Sequence, residues 1–107
     1  NKFTDARYRG AQVIYSRNFE ESEELARLLQ SSLWRIDKSK AHREALCAPP
    51  GIFLLKNARI PAVVVECGFL SNADDEQLLC TDSYRTAVAQ AIADGIEQYY
   101  KESEVKQ

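Results

Sequence analysis

Hydrophobic positions along this chain fall into short runs and longer periodic stripes. Gly10 opens the run Ala11-Gln12-Val13-Ile14-Tyr15-Ser16, which is short, β-branched and aromatic and so predicts a strand. Asn18 follows, with Glu21 three positions on, the spacing of a capping box. Glu20, Glu21, Glu23 and Glu24 load the next turns with negative charge, where a helix N-terminus favours it. Leu25, Leu28, Leu29, Leu33 and Ile36 recur at steps of three and four, which predicts an amphipathic helix over about residues 19–35. Residues 37–50 are polar and run into Pro49-Pro50-Gly51, a loop with its punctuation. Ile52-Phe53-Leu54-Leu55 predicts a second short strand. After Pro61, Ala62-Val63-Val64-Val65 predicts a third. That last run has no polar alternation, the pattern of a sheet covered on both faces, which is usually parallel. Ser71-Asn72 ahead of Asp74-Asp75-Glu76 marks a helix start, with Leu78 and Leu79 as its buried side. Thr81, Asp82 and Ser83 offer caps to a long helix whose apolar face is Tyr84, Val88, Ala91, Ile92, Ile96 and Tyr99. The polar ends, Asn1 to Arg9 and Lys101 to Gln107, are expected to be a loop and a fraying tail.

The predicted order is strand, helix, strand, strand, short helix, long helix, with no internal repeat. This is an α/β pattern, but about three strands and three helices are few for an independent two-sided sheet. The chain therefore reads as the C-terminal part of a larger α/β domain. Its 107 residues, 45% hydrophobic and 28% charged, fit one globular unit rather than disorder. No apolar run approaches the roughly 18–20 residues of a membrane helix, and no signal-peptide pattern opens the chain. Net charge is −2, which argues against a nucleic-acid partner. The basic cluster Arg35, Lys38, Lys40 and Arg43 is interrupted by Asp37 and Glu44 and reads as a solvated linker. Cys47, Cys67 and Cys80 form no CxxC or CxxH pair, so neither a structural zinc site nor a full disulfide framework is predicted. One disulfide plus a free thiol stays open.

Glu66 is the leading candidate for chemistry. It directly follows Val63-Val64-Val65, at the carboxyl end of a strand, where functional groups of open α/β sheets gather. A carboxylate there needs a partner or a role, since burying one alone is costly. An ion pair at the sheet edge is the structural alternative. Gly68 suits a tight turn or a close backbone approach to a substrate, and Phe69 and Leu70 read as core packing rather than the lining of a cleft. His42, the only histidine, lies in the polar loop and reads as solvated, because a zinc site needs at least three protein ligands. A thiol pair of Cys67 with His42 is formally available but has no support from spacing.

The segment Pro61-Ala62-Val63-Val64-Val65-Glu66-Cys67-Gly68-Phe69-Leu70-Ser71-Asn72 closely resembles the signature of the zinc-dependent N-acetylmuramoyl-L-alanine amidases of the amidase-3 type, which are cell-wall hydrolases. Gly10 to Ser16, the Leu25-Ala26 and Leu29-Gln30 pairs, and Ile52 to Lys56 resemble other elements of that family. Ala73 and Phe53 depart from it, where Pro and Tyr are frequent. The resemblance implies a twisted, mostly parallel sheet with helices on both faces. It also implies a zinc held by two histidines and a glutamate. Glu66 would be the catalytic general acid/base, working with a zinc-activated water on the amide between N-acetylmuramic acid and L-alanine of the stem peptide. None of the zinc ligands carries over to this chain. They belong upstream, so residues 1–107 would be the C-terminal part of one catalytic domain and inactive alone. Peptidoglycan is the implied substrate, in an extracytoplasmic setting: cell wall, periplasm or spore cortex. Autolytic, sporulation and germination roles all fit. Self-association, or docking on the missing upstream half, follows from an incomplete sheet. The alternative is an inactive fragment or pseudo-enzyme domain serving as a binding module.

Overall fold

The computed structural model describes residues 9–37 and 42–106. The run around Val13 becomes β1 (Gln12–Tyr15), the middle strand of three, in the order β2-β1-β3. β2 (Leu46–Cys47) lies parallel to it, with Ile14 opposite Leu46 and Tyr15 opposite Cys47. β3 (Val63–Glu66) runs antiparallel, pairing Gln12 with Glu66, Val13 with Val65, Ile14 with Val64 and Tyr15 with Val63. The α/β class is as expected. The parallel placement expected for Val63–Val65 is not seen against β1, and all four β3 residues are half-buried. The apolar run thus reflects contact on both faces without complete cover.

Two expectations between β1 and β3 are corrected. Ile52–Leu55 is not a strand. Phe53–Lys56 forms a single helical turn, α2, with Lys56 N–H bonded to the Ile52 carbonyl and Asn57 N–H to the Phe53 carbonyl. Only Leu55 is buried there, so one inward residue in four fits a helical turn and not a pleat. The second strand comes instead from Leu46–Cys47, inside the segment read as loop. At two residues it is too short to show a period.

α1 (Glu20–Trp34) buries Ala26, Leu29 and Leu33, close to its predicted limits. The capping box does not form. Phe19 occupies the N-cap without a side-chain cap, while the Asn18 amide donates to the Lys56 and Ala58 carbonyls. Asn18 is spent on tying the β1–α1 turn to the end of α2. α3 (Ala73–Leu79) is capped as the sequence predicts, with Asn72 accepting from the Asp74 and Asp75 amides at 3.1 Å. α4 follows as Asp82–Lys106, with the Thr81 hydroxyl accepting from Tyr84 N–H. The expected fraying from Lys101 is not observed, and the helix continues to Lys106. Side-chain pairs at i,i+4, Lys101 with Glu97 and Gln98 with Glu102, brace this stretch. Residues 1–8, 38–41 and 107 lie outside the described residues, and with them the loop expected at the start and two members of the basic cluster, Lys38 and Lys40.

The core sits on one side of the sheet. Val13, Tyr15, Val63 and Val65 meet Ala26, Leu29 and Leu33 of α1 and Val88, Ala91 and Ile92 of α4. α1 and α4 approach closely because position 95 is glycine. A Cβ there would stand 2.7 Å from Leu29 Cδ2 and 3.1 Å from Leu29 Cα. Ile96, expected on the buried face of α4, is 40% exposed, and Gly95 takes the inward position. Ser32 closes the helix pair by donating to the Ala91 carbonyl at 2.6 Å. The other side of the sheet carries a smaller cluster of Ile14, Ala48 and Leu55, with Ile52, Ala62 and Val64 against it. Leu46, Phe53, Leu54 and Ile60 remain exposed.

Candidate active site around Glu66

Glu66 closes β3 directly across from Gln12, the first residue of β1. Because β2 runs parallel to β1, the residues leading into β2 arrive at this same end of the sheet. Three segments therefore meet at this end of the sheet: Gly10–Gln12, Arg43–Glu44, and the turn from Cys67 to Asn72.

The turn is fixed by a carboxylate that sequence reading missed. Asp75, 4% exposed, accepts from Gly10 N–H at 2.8 Å and from Phe69 N–H at 2.9 Å with one oxygen. It ties the entrance of β1 to the exit of β3. Gly10 has φ 89°, a left-handed conformation that side chains disfavour. Gly68 leaves room for the arrangement, since a Cβ there would meet Leu79 Cδ1 at 3.1 Å and Asp75 Oδ2 at 3.3 Å. The close approach at Gly68 in this structure is to Leu79 and Asp75 of α3. The sequence marks Asp75 only as part of a helix start. Nothing in the sequence separates it from Asp74, which is exposed and faces Arg9 at 3.5 Å. Phe69 is buried, as expected, whereas Leu70 is 52% exposed and does not pack in the core.

Arg43 is not a solvated linker residue. Its guanidinium lies 5.0 Å from the centroid of the Phe69 ring and donates to Gln12 Oε1 at 3.0 Å. Its carbonyl accepts from Trp34 Nε1 at 2.7 Å. Gln12 Nε2 in turn donates to the Glu44 carbonyl at 3.0 Å. His42 is exposed, as expected of a solvated loop residue, with its ring 5.5 Å from that of Trp34. Burial pushes the Cys67 thiol above its usual pKa, opposite to the shift a thiol nucleophile needs. All three cysteines are free thiols. Among the described residues no group of three His, Cys, Asp or Glu side chains is placed to hold a metal ion. A zinc site does not fit this described set. No described helix is long and apolar enough to cross a membrane.

Comparison with known proteins gives a consistent picture. The family described as N-acetylmuramoyl-L-alanine amidase matches residues 1–98. The chain is 31% identical over 102 residues to the germination-specific N-acetylmuramoyl-L-alanine amidase of Bacillus subtilis, covering 95% of this chain and 42% of that protein. It is 37% identical over 84 residues to the N-acetylmuramoyl-L-alanine amidase AmiC of Neisseria meningitidis, covering 78% of this chain and 18% of that protein. Among solved structures it superposes on the CwlD amidase of Clostridioides difficile, determined in complex with the GerS lipoprotein. The TM-score is 0.85 at 37% identity, over 94% of this chain and 51% of that one. The chain thus spans less than half the length of these curated relatives and about half of the solved amidase.

Proposed function

Because the chain belongs to the N-acetylmuramoyl-L-alanine amidase family, we propose that its protein hydrolyses the amide between N-acetylmuramic acid and L-alanine in peptidoglycan, with Glu66 as general acid/base. The observation that carries this reading is the position of Glu66. It is a half-buried carboxylate at the end of β3, where three segments of the chain meet. In that role Glu66 takes a proton from the attacking water and returns it to the leaving amine.

Residues 1–107 serve as the C-terminal part of the catalytic domain. Zinc dependence belongs to the family, and its ligands come from the upstream half, since the described residues offer no such group. An extracytoplasmic setting follows from the substrate: cell wall, periplasm or spore cortex. A germination role is one candidate, since the Bacillus subtilis relative is named for it. The competing reading, an inactive binding fragment, draws on the exposed Phe53, Leu54 and Ile60.

The test is Glu66→Gln in the full-length protein, assayed by release of stem peptides from purified cell wall. Activity should fall at least about 10²-fold, with zinc content unchanged. Activity near wild type would remove Glu66 from the mechanism. No release by the wild-type protein would favour the binding fragment.

A further inference from the structure

Asp75 holds two parts of the chain together through one atom. Its side chain is buried, and a single oxygen, Oδ2, accepts from Gly10 N–H at 2.8 Å and from Phe69 N–H at 2.9 Å. Gly10 and Phe69 are thereby kept within two hydrogen-bond lengths of each other. Two residues beyond Gly10, Gln12 stands opposite Glu66 in the sheet. Glu66 itself lies three residues before Phe69. Gly10–Gln12, Glu66–Phe69 and Asp75 thus form a closed circuit of backbone and hydrogen bonds that contains Glu66. The start of α3 grips Phe69 at both backbone groups, since Asn72 N–H donates to the Phe69 carbonyl at 2.9 Å. Gly68 lies close against the same carboxylate, where a Cβ would meet Asp75 Oδ2 at 3.3 Å. The strand residue Glu66 is therefore placed by β1, and the backbone that leaves it is placed by Asp75.

We propose that Asp75 is a positioning residue for Glu66, pinning the Cys67–Phe69 backbone to the entrance of β1 so that the end of β3 is held in place for proton transfer. This rests on the reading of Glu66 as the general acid/base. Asp75 acts through the three residues that follow Glu66 and touches no reacting atom. Misplacing a proton-transfer group by about 1 Å can cost about 10²-fold in rate, and such a loss falls on kcat while substrate binding stays intact. Two other roles are distinguishable. If Asp75 only closes the end of the sheet, its loss lowers the melting temperature and leaves the folded enzyme's kcat alone. If it acts through Gly10 and the chain before it, its effect persists when the Glu66 carboxylate is gone.

The experiment uses the full-length, zinc-loaded protein with a soluble muropeptide, assayed well below the melting temperature of each variant. Asp75→Ala should lower kcat by about tenfold or more with KM within about twofold of wild type. Asp75→Asn should rescue most of that loss. Both bonds fall on one oxygen, so the asparagine carbonyl can accept both. In a Glu66→Gln background, Asp75→Ala should change the residual rate by less than about twofold, because the group it positions is gone. A folded Asp75→Ala protein with wild-type kcat would overturn the inference. So would a loss that appears only in KM, one that multiplies in full on top of Glu66→Gln, or an asparagine variant no more active than the alanine variant. If Asp75→Ala does not fold, Gly68→Ala decides. Its Cβ shifts the same turn with both N–H groups still facing Asp75, and kcat should fall by about threefold or more. Wild-type kcat there would overturn the proposal. Should Glu66→Gln alone keep wild-type activity, the reading of Glu66 fails and this inference with it, a result distinct from a fully active Asp75→Ala.

Discussion

Replacing Gln30 by leucine tests the account of how β1 is satisfied. Gln30 is 2% exposed and sits on the inward face of α1, where pattern alone would place an apolar residue. Its Oε1 accepts from Val13 N–H at 2.8 Å and its Nε2 donates to the Ala11 carbonyl at 3.0 Å. The side chain thus supplies β1 with two ladder bonds on the flank where β2, only Leu46–Cys47, does not reach. Leucine fills a similar volume but leaves one buried N–H and one buried C=O unpaired, each costing about 1–3 kcal/mol. Allowing for the added apolar burial, the net loss should be about 2–4 kcal/mol, a large share of a typical stability of about 5–15 kcal/mol. In urea, with m of about 2 kcal/mol/M, the midpoint should fall by about 1–2 M at unchanged m. The Val13 amide should also exchange faster with solvent. Gln30→Glu separates donor from volume. It can accept from Val13 but sets a carboxylate against the Ala11 carbonyl, so its deficit should shrink in acid, where the protonated group donates again. A leucine variant within about 0.5 kcal/mol of wild type would refute the claim that this amide completes the strand.

Three further outcomes follow from the same packing. Gly95→Ala sets a Cβ 2.7 Å from Leu29 Cδ2 and 3.1 Å from its Cα. Overpacking of about 1–3 kcal/mol should outweigh the helix-propensity gain of at most about 1 kcal/mol, lowering the urea midpoint. Cys67 should be alkylated by iodoacetamide more slowly than exposed Cys80 at neutral pH, since burial raises its pKa. The sign of its linkage is that the stability it contributes is full below the ordinary thiol range and lost as pH rises toward the folded value, read as an alkaline drop in midpoint that Cys67→Ala removes. The isolated 107 residues should self-associate through Phe53, Leu54 and Ile60, which are 79%, 70% and 70% exposed. A monodisperse monomer in sedimentation would show that this face needs no cover.

How far the sequence could be read depended on how many residues shared each signal. The stripe from Leu25 to Leu33 repeats its period several times and Val63–Val65 is an unbroken β-branched run, so α1 and β3 fell where expected. Phe53–Lys56 is one turn, too short for 3.6 and 2.0 to differ, and the burial of Leu55 alone settles it. Glu66 stands out in the sequence because a strand pattern ends on it, and it does end β3. Gln12, Gln30, Arg43 and Asp75 were missed because each acts on a partner 17 to 65 positions away. Local pattern reports the face a residue occupies and says nothing of the backbone group it will meet.

The two faces of the sheet are closed unequally. Pleating alternates side chains, so Gln12 and Ile14 on β1, and Val64 and Glu66 on β3, share a face. The opposite face is closed by α1 and α4. The shared face carries the small cluster of Ile14, Ala48 and Leu55, while Leu54 and Ile60 are exposed. The exposed residues do not adjoin Glu66. Ser16 donates to the Leu55 and Ala62 carbonyls, so α2 and the approach to β3 sit at the Tyr15–Val63 end, whereas Glu66 stands at the other end of the strand, opposite Gln12. Cover over Leu54 and Ile60 removes water from apolar surface and stabilises the sheet in proportion to the area buried. A substitution at Leu54 or Ile60 that weakens such cover therefore bears on stability before it bears on Glu66.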